Sequence, residues 1–208
     1  MSPARRIGVF GGAFDPPHLA HVALVQTAID QLQLDEVRVL PTGQAWHKPR
    51  ALSEAVHRLA MTRLAFEAMP QVVVDARELS RIGPSYTVDT LLDLAREHPG
   101  AQLFLLIGDD QRRSLPAWHR IDEIARLAII CAADRDPDTP AWSDAPAPTS
   151  LPKVSLSLPI QALHMPLMPL SATDIRQRQS QHLAIEGLVP AAVARYIHEH
   201  HLYRPLDD

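Results

Sequence analysis

The sequence predicts an α/β fold built on a parallel sheet, and three observations support it. Strand and helix patterns alternate along the chain. Two almost wholly apolar runs, Leu103–Ile107 and Leu127–Ala132, are typical of central parallel strands buried on both faces. Near the start, an apolar run ends in Gly11-Gly12 directly before a helical pattern, which predicts a strand, a tight turn and a helix.

The first half of the chain supplies two strand–helix units. Ile7–Phe10 is the apolar run before the glycines, and Leu19–Leu32 carries Ala, Val and Leu at helical three-to-four spacing. Val37–Leu40 is predicted as the second strand, closed by a proline. The next helix is predicted over Ser53–Ala68, with Ser53 as its N-cap.

The middle of the chain continues the alternation and then interrupts it. Val72–Val74 is a short β-branched strand, and Thr87–Glu97 is a helix ended by the following Pro-Gly pair. The two apolar runs named above come next. Residues 134–152, rich in Pro, Ser and Asp, are predicted to form an irregular surface loop.

The C-terminal part is predicted to be mainly helical. Val154–Leu163 is a strand or an extended segment, and helices follow at Ala172–Gln179 and Pro190–His200. Too little chain follows the loop to build a second core, so we expect residues 1–208 to form a single domain, with its last helices in 171–208.

Composition narrows the class of protein. A net charge of -4 over 208 residues argues against a nucleic-acid partner, since such proteins are usually basic. A single cysteine, Cys131, excludes an internal disulfide and a multi-cysteine metal site. No apolar stretch approaches the ~20 residues of a membrane span, and the N-terminus does not resemble a signal peptide. We therefore expect a cytoplasmic enzyme with no membrane partner.

The glycine turn is the first candidate site. His18 and His21 follow it three residues apart, so both imidazoles are predicted to share one face of the first helical turn. Helix N-termini attract phosphate, and glycines let the backbone approach it closely. A metal-binding pair is the alternative, but zinc needs further ligands and only Asp15 is near in sequence.

A second anion site is predicted near the C-terminus. Ser171 or Thr173 can cap the helix that begins there, and Arg176 falls on its first turn, where a guanidinium suits phosphate contact. Lys48 lies in the loop after the second strand, where it can supply a point charge or remain solvated.

A third group follows the buried strand Leu103–Ile107. Gly108 permits close approach, and Asp110 can accept hydrogen bonds from ribose or amino groups. Trp118 can stack on an aromatic ring, or it can simply pack against the core.

Several of these segments match a known family. GVFGGAFDPPHLAH resembles the GG-x-F-D-P-x-H-x-G-H signature of the nucleotidylyltransferase superfamily, and SATDIR resembles its [ST]-x-T-x-[IL]-R phosphate motif. With Pro84-Ser85-Tyr86-Thr87 and Trp118, nearly the whole chain except 134–160 is similar to bacterial nicotinate-mononucleotide adenylyltransferases.

The resemblance implies a Rossmann-like open sheet with helices on both faces. It also implies that AMP passes from ATP to nicotinate mononucleotide, giving nicotinate adenine dinucleotide and pyrophosphate, with Mg2+ held mainly by the ATP phosphates and no protein-held metal. By position, the resemblance implies catalytic roles for His18, His21, Lys48 and Arg176. It implies ATP contacts for ten residues: Gly11, Gly12, Ala13, Phe14, His18, His21, Asp110, Ser171, Thr173 and Arg176. It implies binding of the acceptor, nicotinate mononucleotide, by Thr87, Asp110 and Trp118.

The chain departs from the family pattern at three places, one of which is the basic pair Arg112-Arg113 after the Gly-x-Asp element. Ala20 stands where the family has glycine between the histidines, and Arg135 is the nearest candidate for an arginine that contacts substrate phosphate. Nicotinamide mononucleotide or another phosphorylated acceptor, and a non-catalytic nucleotide sensor, stay open as alternatives. A homo-oligomer also stays open, because the sequence does not determine the oligomeric state.

Overall fold

The computed structural model describes residues 3–43, 52–135, 159–166 and 168–204, without the side chains of 109, 110, 113 and 135. Within these ranges the strands are β1 Arg6–Gly12, β2 Glu36–Pro41, β3 Val72–Val74, β4 Gln102–Ile107, β5 Ala128–Arg135 and β6 Ile160–Met165. The helices are α1 Leu19–Leu32, α2 Ala55–Phe66, α3 Thr87–Glu97, α4 Asp109–Ser114, α5 Ile121–Leu127, α6 Ala172–Ser180 and α7 Ala191–Glu199.

All six strands are parallel and form one sheet in the order β3-β2-β1-β4-β5-β6. The chain therefore moves outward in one direction from β1 to β3 and then returns to the other side of β1 with β4. In open parallel sheets, the crevice at such a reversal point binds the ligand, because adjacent crossovers lie on opposite faces. The predicted α/β class and the Rossmann-like sheet are confirmed.

Two hydrophobic clusters pack on the opposite faces of the sheet. One contains buried residues of α1, α2, α6 and α7 and, from β1, Phe10. The other contains residues of α3 and α5 and, from β1, Ile7 and Val9. The alternation along β1 follows from the two-residue period of a strand, whose successive side chains point to opposite faces. The central strands β1 and β4 are buried on both sides, as their apolar sequences predict.

Several predicted boundaries are wrong. The N-cap of α2 is Glu54 instead of the predicted Ser53. The backbone N–H of Ser53 donates to the Asp15 carboxylate, 3.2 Å away. Leu127 ends α5 instead of starting β5. The predicted loop at 134–152 begins too early, because residues 134–135 still pair with β6. The rest of that loop lies outside the described residues, as does 154–158 of the predicted extended segment.

The segment between β4 and β5 contains two short helices, α4 and α5, that the sequence patterns do not predict. Both are too short to show a helical period. In the part of the chain that the structure describes, no helix combines the length and apolar character that a membrane crossing requires.

Candidate active site

A cavity of about 870 Å3 opens at the carboxyl ends of β1, β4 and β5. Its size lies in the range that is typical of small-molecule sites. Nine of the residues predicted to bind ATP line it: Gly11, Gly12, Ala13, Phe14, His18, His21, Ser171, Thr173 and Arg176. The structure thus joins the N-terminal glycine–histidine motif to the C-terminal Ser-x-Thr motif, which lie about 160 residues apart in sequence.

The two histidines are stacked at the rim of this cavity. Their ring centroids lie 3.7 Å apart with an interplanar angle of 26°. Phe14 contacts the His21 ring edge-on, at a centroid distance of 5.2 Å. His18 is the N-cap of α1 and lies one residue before the helix, so the prediction that both histidines occupy the first turn is wrong for His18.

One hydrogen bond fixes the chemistry of His21. Its Nδ1 accepts from the backbone N–H of His18 at 3.0 Å. A ring nitrogen that accepts carries no proton, so the neutral His21 ring holds its proton on Nε2. His21 can therefore donate from Nε2 to a ligand oxygen without first becoming charged.

Several backbone N–H groups at the start of α1 donate hydrogen bonds to other groups of the protein. The Leu19 N–H donates to the Leu188 carbonyl at 3.0 Å, and the His21 N–H donates to the His18 carbonyl at 2.9 Å. These groups, with the His18 N–H, already have protein acceptors. The side chains of the histidine pair therefore matter more for a phosphate than the helix N-terminus alone.

The second motif lines the same cavity. Ser171 is the N-cap of α6, and its Oγ accepts from the Asp174 N–H at 3.1 Å. Arg176 donates from Nη1 to the Asp15 carbonyl at 2.7 Å and from Nη2 to Thr173 Oγ1 at 3.0 Å. These bonds fix the plane of the guanidinium at the cavity wall, where a planar donor suits a phosphate.

Arg58 joins three loops behind the cavity and is only 3% exposed. Its Nε donates to the Ser53 carbonyl at 3.0 Å, and its Nη1 donates to the carbonyls of Ala13 and Thr42 at 3.0 and 2.7 Å. Burial lowers the pKa of Arg58 from its usual value, and the nearby Asp15 carboxylate opposes that shift. A buried cation thus holds the loop after β1 against the loop after β2.

The two glycines of the turn have different steric surroundings. A Cβ on Gly12 would lie 3.0 Å from the Phe14 ring, whose own backbone adopts a left-handed φ of 47°. A Cβ on Gly11 would meet no protein atom within 4 Å. Gly12 is therefore needed for packing, whereas Gly11 leaves space beside the cavity.

Four predicted site residues are not among the described lining of the cavity. Lys48 lies outside the described residues. Asp110 lies in the first turn of α4, next to the cavity-lining Gly108 and Gln111, but its side chain is not described. Thr87 and Trp118 lie on the other face of the sheet.

Thr87 and Trp118 nevertheless lie in adjoining segments. The rings of Tyr86 and His119, each next in sequence to one of them, are 4.3 Å apart. Trp118 packs against the cluster that contains α3 and α5, and its indole Nε1 donates to Ser114 Oγ at 3.3 Å.

No group of three or more metal-ligating side chains occurs among the described residues. The polar part of the lining offers imidazole, guanidinium and hydroxyl groups, which suit anions, together with the carboxylates of Asp15 and Asp134. Both oxygens of Asp15 accept protein hydrogen bonds, from Tyr203 and Ser53. This donor set fits a divalent cation that arrives on phosphates better than one that the protein holds itself.

Sequence reasoning missed Arg58, Gln111 and Tyr203, and it considered Asp15 only as a metal ligand. Arg58 lies within a helical pattern, where an arginine usually faces solvent. The contact between Asp15 and Tyr203 joins residues 188 positions apart, for which the sequence contains no local signal.

Comparison with known proteins agrees with this geometry. Residues 9–178 match the model of the cytidylyltransferase-like family. A relative from Albidiferax ferrireducens, named "Probable nicotinate-nucleotide adenylyltransferase", is 54% identical and aligns over 96% of this chain and 98% of its own length. A relative of the same name from Methylibium petroleiphilum is 42% identical over 98% and 95% of the two chains.

Solved structures show the same fold. Two Plasmodium falciparum nicotinic acid mononucleotide adenylyltransferase structures, one complexed with APC and one with NaAD, give TM-scores of 0.74 and 0.73. Each covers 96% of this chain and 97% of its own, at 16% and 18% identity. The family indicated by the two phosphate motifs is confirmed: this chain belongs to the nicotinate-nucleotide adenylyltransferase family of cytidylyltransferase-like proteins.

Proposed function

We propose that this chain transfers the adenylyl group of ATP to nicotinate mononucleotide, forming nicotinate adenine dinucleotide and releasing pyrophosphate. The observation that carries the proposal is the stacked histidine pair, which lines the same cavity as Arg176. The donors of this site suit a polyphosphate, and the names of the close relatives indicate which acceptor it serves.

The triphosphate of ATP would lie between the two motifs. His21 would donate from Nε2 to a phosphate oxygen that gains charge as the bond to the α-phosphorus breaks, and His18 would flank it. Arg176, with Ser171 and Thr173 at the start of α6, would neutralise the departing pyrophosphate. Lys48 is a predicted further contact on the same phosphates.

The acceptor supplies its own nucleophile, because its phosphate is already anionic at neutral pH. The protein therefore needs no general base and forms no covalent intermediate; its role is to align the attacking oxygen with the leaving group. When bound, Mg2+ would neutralise phosphate charge, held by the phosphates and water.

The acceptor would bind beside the reversal point on the face of α3 and α5. Trp118 would stack on the pyridine ring, and Thr87, at the start of α3, would hold the mononucleotide. Asp110, in the first turn of α4 next to the cavity-lining Gly108, would contact both substrates.

Pyrophosphate release by the purified protein tests the proposal. We expect release with ATP, Mg2+ and nicotinate mononucleotide, and loss of release when the divalent cation is chelated. Nicotinamide mononucleotide in place of the acid tests acceptor choice, and ATP alone is the control for hydrolysis. Binding of ATP without release in the presence of either acceptor would instead favour a nucleotide sensor.

A further inference from the structure

A polar cluster of Asp15, Arg58 and Tyr203 lies behind the histidine pair, and the mechanism above does not use it. Asp15 is 2% exposed although it carries a carboxylate. A buried negative charge beside a triphosphate site would oppose ATP binding unless neighbouring groups compensate it. Arg58 provides an opposite charge, and hydrogen bonds to Asp15 provide the rest.

The polar groups of Asp15 bond to three distant parts of the chain. Oδ1 accepts from the Tyr203 hydroxyl at 2.7 Å, and Oδ2 accepts from the Ser53 N–H at 3.2 Å. The Asp15 carbonyl accepts from Arg176 Nη1 at 2.7 Å. The residue that orients the Arg176 guanidinium is thus itself oriented by Tyr203.

Tyr203 is held in place as a hydrogen-bond donor. Its burial and the Asp15 carboxylate raise the pKa of the phenol above its usual value, so the hydroxyl keeps its proton at neutral pH. Its backbone has a left-handed φ of 64°, a conformation that costs a tyrosine free energy. After α7 the chain turns back, and the Leu202 N–H donates to the Ile197 carbonyl at 3.0 Å.

We propose that Tyr203 is a positioning residue for ATP: through Asp15, its hydroxyl holds Arg176 and the turn before His18 in the geometry that receives the triphosphate. Tyr203 touches no reacting atom and acts only through Asp15. The inference rests on the proposed function for its substrate, ATP, but not for the identity of the acceptor.

The test compares Tyr203→Phe with Tyr196→Phe. The Tyr196 hydroxyl, in α7, lies 3.0 Å from His57 Nδ1, and His57 is not among the residues that line the cavity, whereas Asp15, the partner of Tyr203, is. We expect Tyr203→Phe to lower kcat/KM for ATP about tenfold, which corresponds to about 1.4 kcal/mol, and to leave KM for the acceptor unchanged. Tyr196→Phe should leave both unchanged.

A purely structural role for Tyr203 would lower the melting temperature without this difference between the substrates. Equal ATP kinetics in the two variants would overturn the proposal. Titration calorimetry with ATP alone repeats the comparison without an acceptor, so a wrong acceptor assignment cannot be mistaken for failure of the inference. Absence of ATP binding to the wild-type protein would overturn both.

Hydrogen exchange on the wild-type protein covers the case in which Tyr203→Phe does not fold. Coupling between the ATP site and Tyr203 is reciprocal, so ATP should slow amide exchange in residues 200–204. Nicotinate mononucleotide alone should not slow it. Exchange in this segment that ATP leaves unchanged would contradict the proposal.

Discussion

At the residue scale, the proposed chemistry depends on which nitrogen of His21 carries the proton. The bond from the His18 N–H to Nδ1 directs the proton to Nε2, so one backbone group sets both the orientation and the tautomer of the ring. Edge contact with Phe14 restricts the ring further. The donor is therefore pre-organised before any substrate binds, which is what stabilisation of a developing charge requires.

Replacement of His21 by alanine should lower kcat by about 10²–10³, the typical loss for one such donor. The melting temperature should change little, because His21 is only partly buried. His198→Ala, in the last turn of α7, is the matched control and should keep wild-type turnover. Steady-state kinetics decide the matter, and a His21→Ala enzyme with full turnover would remove this residue from the mechanism.

Alanine at the two glycines of the turn should separate binding from stability. Gly11→Ala adds a methyl group that meets no protein atom, so we expect a higher KM for ATP and an unchanged melting temperature. Gly12→Ala presses on the buried Phe14 ring and should cost about 1–3 kcal/mol of unfolding free energy. Thermal melts and ATP titrations of both variants would show whether the effects divide in this way.

The predicted site residues that line the cavity share one property: each lies in a short local motif. His18, His21 and Arg176 are recognisable because glycines or capping residues stand beside them. Tyr203 is part of the site only because the fold brings it to Asp15. No pattern within a few residues encodes such a tertiary contact.

At the element scale, boundaries were predictable wherever local signals were strong. Helices α1 and α3 and strand β3 have the predicted limits, because apolar periods and terminal Pro-Gly signals define them. Helix α2 begins later than predicted: the Ser53 N–H bonds to Asp15 of another loop, its carbonyl accepts from the Arg58 side chain, and the first helical bonds run to the Glu54 carbonyl. Tertiary bonding at an element's end overrides the capping preference there.

An ion-pair network at the edge of the sheet ties strand β3 to helix α3. Arg77 donates to Asp75, just after β3, and makes two bonds to Glu97, the last residue of α3. Burial raises the pKa of Asp75, but hydrogen bonds and charge from Arg77 outweigh it and leave the pKa below its usual 3.8. The bond from Arg77 also lowers the pKa of Glu97 from 4.5.

Arg77→Met should therefore destabilise the fold in a pH-dependent manner. A carboxylate whose pKa is lower in the folded than in the unfolded state stabilises the fold at pH values above its unfolded-state pKa. This stabilisation is lost as the pH falls through its folded-state pKa. We expect the variant to lose about 1 kcal/mol near pH 7, a modest amount because the network is partly exposed. The difference should shrink as pH falls below the usual carboxylate range and through the lowered folded-state pKa values of Asp75 and Glu97.

Urea unfolding at pH 7, 5 and 3 measures this dependence. Arg96→Met is the control, because Arg96 is 75% exposed and lies 3.5 Å from Asp93. Its effect should stay within about 0.5 kcal/mol at every pH. A loss in Arg77→Met that is equally large at pH 3 would mean that packing of the side chain, not its charge, supports the edge.

At the scale of the whole molecule, reversal of the strand order at β1 and β4 divides the proposed substrates. The cavity with the histidines opens between β1 and α6, whereas Trp118 packs on the face of α3 and α5. A parallel sheet brings both regions to one edge, because all strands end there. Residues on the two faces should therefore affect the two substrates separately.

Trp118→Ala tests this division. Loss of the stacking surface should raise KM for nicotinate mononucleotide by about 5–150-fold, since stacking on an aromatic side chain is worth about 1–3 kcal/mol. KM for ATP should change less than twofold. Trp118 also packs on the core, so a melt must show that the variant is folded under assay conditions. Equal increases for both substrates would mean that Trp118 supports the fold near the reversal point instead of holding the acceptor.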